Sequence, residues 1–146
     1  MASAAVMAAA EAHARATLAA EIAAGGVIVR ALRNLQNPEP PRSEAELGKA
    51  HVFLQFPPHS QSAVCIGGPT SPWRERGAIV LFVLVASATQ DGLALAVFEK
   101  LTRAFRPSLI GDLIEPTAII GADSGPRFGG NWWGVSAAVE YVAEDV

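Results

Sequence analysis

The sequence predicts an α+β domain, a mostly antiparallel sheet flanked by two main helices, and three observations carry that prediction. Gly77 to Ser87 is the most apolar and β-branched run in the chain. Asp91 to Phe105 follows at once with apolar residues spaced for one face of a helix. Trp132 to Val142 alternates apolar and small or polar residues as a half-buried antiparallel strand does. A strand buried on both faces, followed by a helix that packs on it, makes a core.

The chain has 146 residues, suited to one domain spanning 1–146, and 51% of them are hydrophobic. Much of that fraction is alanine, so apolar volume is smaller than the count suggests. The formal net charge is −3, which argues against tight sequence-independent binding to nucleic-acid phosphates. The single cysteine, Cys65, excludes an intrachain disulfide; its apolar setting reads as a buried structural thiol. Met1 to Ala10 is apolar, but no basic residue precedes Arg15, and Glu11 and His13 interrupt the run. It reads as the start of a helix, not a secretory signal. The apolar strand is too short to cross a bilayer, which needs about 20 residues. The expectation is a cytoplasmic protein with no membrane association.

Ser3 to Ala24 is alanine-rich and free of glycine and proline, so it is expected to be helical. Met7, Ala10, Ala14, Leu18 and Ile22 form a narrow stripe, Ser3 is the expected N-cap, and Gly25-Gly26 the stop. Glu11 and Arg15 are placed to pair at i, i+4. Val27 to Asn34 reads as a short second helical piece. The segment at about 34–49, with Pro38, Pro40 and Pro41, reads as an exposed connection. Its length suits either a contact loop or a plain surface loop.

Ala50 to Phe56 is expected to be a strand with Val52, Leu54 and Phe56 on one face and His51, Phe53 and Gln55 on the other. Ser62 to Ile66 is a second short strand, and Ser71 to Gly77 a turn-rich approach to the central one. In the following helix Leu93, Val97, Leu101 and Phe105 share a face with Ala94 and Phe98, and Thr89 or Asp91 is the expected cap. Ile114 to Ala122 is a strand, Gly121 to Asn131 a glycine-rich loop. In the last strand Trp133, Val135, Ala137, Val139 and Tyr141 point one way.

The chain offers no catalytic signature. His13, His51 and His59 are not spaced as metal ligands. No serine sits in a Gly-x-Ser-x-Gly elbow, and Asp123-Ser124-Gly125 reads as a turn. Gly67-Gly68 and Gly129-Gly130 match neither a dinucleotide nor a phosphate-loop pattern. No cofactor and no metal are expected, and the protein is read as a non-enzyme. Trp132-Trp133 places two large aromatics on opposite faces, so a second layer or a neighbouring subunit must cover the outer one. Arg74-Glu75-Arg76 lies on the approach to the central strand, as a solvated cluster or as an ion-pair patch for a partner.

The order of elements, with Arg74 to Val85, Asp91-Gly92, the helix to Phe105 and Trp133 to Tyr141, resembles the tail terminator-like proteins of long-tailed bacteriophages and of gene transfer agents. The resemblance covers most of the chain in layout. It implies an α+β subunit that assembles as a homohexameric ring at the head-proximal end of the tail tube. Its partners would be other copies, the tube protein and the head-tail connector or stopper. DNA would pass through the lumen without specific binding, in a particle assembled in the host cytoplasm. Arg76-Gly77 and the aromatic strand match the family pattern. The candidate interface residues are Arg74, Arg76, Phe128, Trp132, Trp133 and Glu140. Other readings stay open: a different neck, head-completion or minor tail protein, or a small cytosolic ligand-binding domain.

Overall fold

The computed structural model describes residues 2–32, 40, 48–63, 72–87, 90–106 and 109–144. The fold is α+β with a mixed, mostly antiparallel sheet. The helices are α1 (Ala4–Thr17), α2 (Ala19–Ala23) and α3 (Asp91–Ala104). The strands are β1 (Val27–Leu32), β2 (Ala50–Gln55), β3 (Ser60–Ala63), β4 (Trp73–Val85), β5 (Ile114–Arg127) and β6 (Trp132–Glu144). Among the described residues these strands form one sheet in the order β1-β2-β4-β6-β5, with β3 beside β4.

β4 is the spine. Its pairing with β6 runs unbroken from Arg74 opposite Glu144 to Val85 opposite Trp133. On its other edge β3 takes Trp73 to Arg76 and β2 takes Val80 to Leu84. β4 and β5 both run antiparallel to β6, so α3 is the crossover between two parallel strands. The approach residues from Trp73 onward are therefore strand and not turn: β3 and β6 satisfy their backbone groups from both sides.

Val27–Leu32 is a strand parallel to β2, and the expectation of a helical piece there is overturned. Val27, Ile28 and Val29 are β-branched, and Gly25 at φ 78° ends the helix that precedes them. β5 also runs further than expected, through Gly121, Asp123, Ser124 and Gly125 to Arg127. Pairing with β6 and two register shifts absorb the irregular residues. The segment 33–39 and 41–47, Val64–Ile66 with Cys65, Gly67-Gly68, Thr89 and Pro107 lie outside the described residues.

The helices cover one face. Val6, Ala10, Ala14 and Leu18 are buried, whereas Met7 and Ile22 of the expected stripe are only half-buried. The Ser3 hydroxyl caps α1 by accepting from the Val6 N–H at 3.4 Å, and Arg15 bonds Glu11 one turn back at 2.9 Å. α3 turns Ala94, Val97 and Leu101 inward, but Leu93 is exposed. Gln90 precedes α3 without a side-chain cap, and Asp91 stands in the first turn instead. His13 Nε2 donates to the Ala104 carbonyl at 2.7 Å, and its ring meets Phe105 edge-on at 5.0 Å. A carbonyl only accepts, so His13 carries a proton on Nε2.

Under the helices lie Val52, Leu54 and Phe56 of the β2 segment, Ile79, Leu81, Val83 and Val85 of β4, and Val135, Val139 and Tyr141 of β6. Burying one such large apolar side chain stabilises by roughly 1.5–3 kcal/mol before ordering entropy. Leu81 is fully buried at the centre. Leu81→Ala should therefore lower unfolding stability by about 2–5 kcal/mol, read from the urea midpoint at unchanged slope.

Candidate functional site

Residues directly opposite each other in a ladder point to the same side, so the β4–β6 register assigns every side chain of both strands to a face. Odd-numbered residues point to the helices. Even-numbered residues point to a second face, and among the described residues no helix covers it. Arg74, Arg76, Glu140 and Trp132 all belong to this second face by parity, and Phe128 packs into it beside Trp132. Trp133 points the other way and leans on the helix-side core. The structure thus places five of the six sequence-derived interface residues on one face of the sheet, with Trp132 buried within it.

The two ends of this face differ. At one end Phe53, Leu84 and Trp132 form a small buried cluster, flanked by Phe82, Ala86 and Phe128. Arg30 donates to His51 Nδ1 at 3.0 Å and lies 5.8 Å from the Phe53 ring centroid. The His51 ring meets Trp132 edge-on at 5.3 Å. Gly134 makes room for Leu84: a Cβ there would come within 2.4 Å of Leu84 Cδ2. Trp132 is only 1% exposed. It is a core residue of this subunit and offers no surface to another. Phe128 holds φ at +53°, a conformation that a bulky side chain rarely adopts and that costs on the order of 1–3 kcal/mol.

At the other end lies an open trough of about 630 Å³ lined by Pro58, Arg76, Ala78, Thr117, Glu140 and Val142. Arg76 and Glu140, both exposed, stand on opposite sides of its floor. Arg74 bonds Glu144 directly across the strands, with Nε donating at 2.9 Å; an exposed pair of this kind adds little stability. Between the two ends run Val80, Phe82 and Ala138, all half-buried, and Ile120, 49% exposed. The middle of the face is mostly apolar, with the half-buried Gln55 beside Val80 and Ser136 beside Phe82.

The sequence reading missed a polar centre on the helix side. Glu75 is fully buried. Its Oε1 accepts from the Tyr141 hydroxyl at 2.6 Å and from the Ser3 backbone N–H at 3.1 Å. Ser3 is the N-cap of α1, so the carboxylate also faces the positive end of that helix. Gly77 is required here: a Cβ would stand 3.0 Å from both the Tyr141 hydroxyl and His59 Cβ. The signal was present in the alternation, because Glu75 falls on the same face as Ile79 and Leu81. A carboxylate in an inward slot calls for a donor, and only the fold names it.

Burial pushes the Glu75 carboxyl up, but the hydrogen bonds from Tyr141 and Ser3, with the nearby His59, outweigh it and hold it below the usual carboxylate range. Tyr141 is pushed well above the ordinary phenol range by burial and by its bond to Glu75. The pair is an ionised acceptor under a protonated donor, which suits an anchor. Among the described residues no three His, Cys, Asp or Glu side chains could hold a metal ion, and no helix is long and apolar enough to cross a membrane.

No family model and no curated protein matches this chain.

Because Glu75 has a depressed folded pKa, its contribution is complete above the unfolded carboxyl value of about 4.3 and is lost as pH falls through the lower folded value. Tyr141 has the opposite sign: its contribution is complete below about pH 10 and fades as pH rises further. Tyr141→Phe should cost about 1.5–3 kcal/mol at neutral pH, as for a lost bond to a charged group. Glu75→Gln should flatten the acid limb of the stability curve. Urea unfolding across pH, compared with wild type, checks both.

Proposed function

We propose that this chain is a structural subunit of a phage or phage-like particle, a tail terminator that assembles into a ring at the head-proximal end of the tail tube. The family resemblance supplies the identity of the particle and the six-membered ring. The observation that carries the assembly reading is the one-sided layering of the sheet. Among the described residues the α-helices pack on one face, while the other keeps a mostly apolar middle between a buried aromatic end and a charged end. A surface of that composition, apolar at the centre and polar at the rim, suits contact between protein subunits.

On this reading the activity is geometric. A closed ring needs two different surfaces on each copy that meet head to tail. The second face, with Arg76, Glu140 and the Arg74–Glu144 pair on its rim, is one of them. The buried Trp132 cluster stiffens it from beneath, and the Phe128 turn closes its end. The six-membered ring, the tube protein and the connector protein are the partners that this reading names, and DNA passes through the lumen.

Light scattering behind size exclusion tests the reading. Wild type should run as a ring-sized oligomer, alone or once purified tail tube is added, and electron micrographs should show it at one tube end. Val80→Lys should leave the melting temperature within a few degrees and abolish the oligomer, since it charges the middle of the face. A wild-type protein that stays monomeric at high concentration and never decorates tube ends would overturn the proposal. Binding at the connector instead of the tube would make it a different neck protein.

A further inference from the structure

Among the described residues the sheet ends at β1 and at β5, with the short β3 a further edge beside β4, and the two ends are treated differently. On β1 the Val29 carbonyl already accepts from Arg15 Nη2 at 2.9 Å, so α1 covers part of that edge. Beyond β5 no strand follows among the described residues. Its Ile119 is 36% and Ile120 49% exposed. Native edges of this kind are normally blunted by charge, proline or bulges. β5 has Pro116 and a register shift between Pro116 and Ala118, then a second shift between Ile120 and Asp123. Between these two devices Ala118, Ile119 and Ile120 stay in regular register opposite Glu140, Val139 and Ala138. The protection therefore frames a short window, Ala118 to Ile120, that itself carries no charge and that no described strand pairs on its outer side.

Three carboxylates near this window have no ion-pair partner among the described residues. Glu11, Glu21, Glu99, Asp123 and Glu144 each have a cation within ion-pair distance. Among the described residues Asp112, Glu115 and Glu140 have none, as Asp91 of α3 has none, and all four are exposed. Asp112 sits in the tight turn that leads into β5, where Gly111 and Asp112 hold φ of 59° and 53° and the Leu113 N–H bonds the Ile110 carbonyl at 3.1 Å. Glu115 lies on β5, and Glu140 stands opposite Ala118. Both Thr117 and Glu140 line the trough, so it opens beside the window.

We propose that the Ala118–Ile120 edge accepts an extended segment of a partner protein, apolar at alternate positions and carrying lysine or arginine beside them. The outward backbone groups of the window, which no described strand pairs, would pair with the segment, adding a strand to the sheet. Ile119 points to the helix side and meets the apolar face of the incoming strand, while Ile120 shares the second face with Glu115 and Glu140, along which the cations run. Asp112, Glu115 and Glu140 meet its cations. A second copy of β5 is the poorer occupant, because it would bring the same unpaired carboxylates together. The short window sets the register and shuts out long edge-to-edge association. This inference stands on the edge and its charges and does not require the ring.

Fluorescence anisotropy with a labelled nine-residue peptide of alternating Lys and Val, and with its Glu and Val counterpart, tests it at about 50 mM salt, where surface charges are weakly screened. The Lys peptide should bind saturably, and hydrogen exchange should slow at Ala118 to Ile120. The triple variant Asp112→Asn, Glu115→Gln, Glu140→Gln keeps the turn-forming residue type and should fold normally. It should weaken binding roughly tenfold or more. Equal binding of both peptides, full affinity in the triple variant, or protection away from β5 would overturn the proposal. So would concentration-dependent protection of the window without any peptide, which would make a second copy the occupant.

Discussion

The unbroken register between β4 and β6 is the constraint on which the other features depend. It fixes which side chains face the helices and which face outward along both strands at once, because a slip of one residue would invert every assignment. Two glycines show how tightly it is set. Gly77 lies opposite Tyr141 and leaves the space its hydroxyl occupies. Gly134 lies opposite Leu84 and leaves space for that side chain on the other face. Each removes a Cβ where a large neighbour must lie flat across the ladder.

The same register brings Glu75 under Tyr141 and, through Ser3, ties the start of α1 to the sheet. A buried carboxylate is costly unless it is well bonded, so this contact specifies where α1 begins more than it adds to stability. The remaining α1 contacts are made by small side chains, which let the helix approach closely but hold it weakly. Lys100 bonded to Glu21 of α2 at 2.6 Å and His13 of α1 bonded to the Ala104 carbonyl tie α3 to both other helices. The helical layer is thus located by a few polar contacts over a core of modest volume.

A sheet layered on one side has a consequence for function. The helix face is a continuous core, whereas the opposite face, among the described residues, carries a buried aromatic end, a mostly apolar middle and a charged trough. Such a molecule is built to present surfaces of defined shape. Where Glu75 meets Tyr141, the carboxyl is held below its usual range and the phenol above its own, so near neutral pH one accepts and the other donates. That arrangement anchors structure, and the proposed role in a ring uses it to keep the presented surface stiff.

Sequence alone determined what is local and periodic. The alternation of Trp133 to Tyr141, the capped alanine helix, the two faces of β2 and the amphipathic helix after the apolar strand were all legible, because side-chain periods of two and 3.6 leave marks in the chain. The choice of Arg74, Arg76 and Glu140 as interface residues was legible only as exposed charge. Tertiary structure decided the rest. Val27 to Leu32 became a strand because β2 was there to pair with it. The glycine-rich run from Gly121 to Arg127 became strand because β6 held it. Trp132 was enclosed by Phe53 and Leu84, and Glu75 found its donors on β6 and α1. In each case the deciding partner lies far away in sequence, and no local pattern encodes a pairing that distance along the chain conceals.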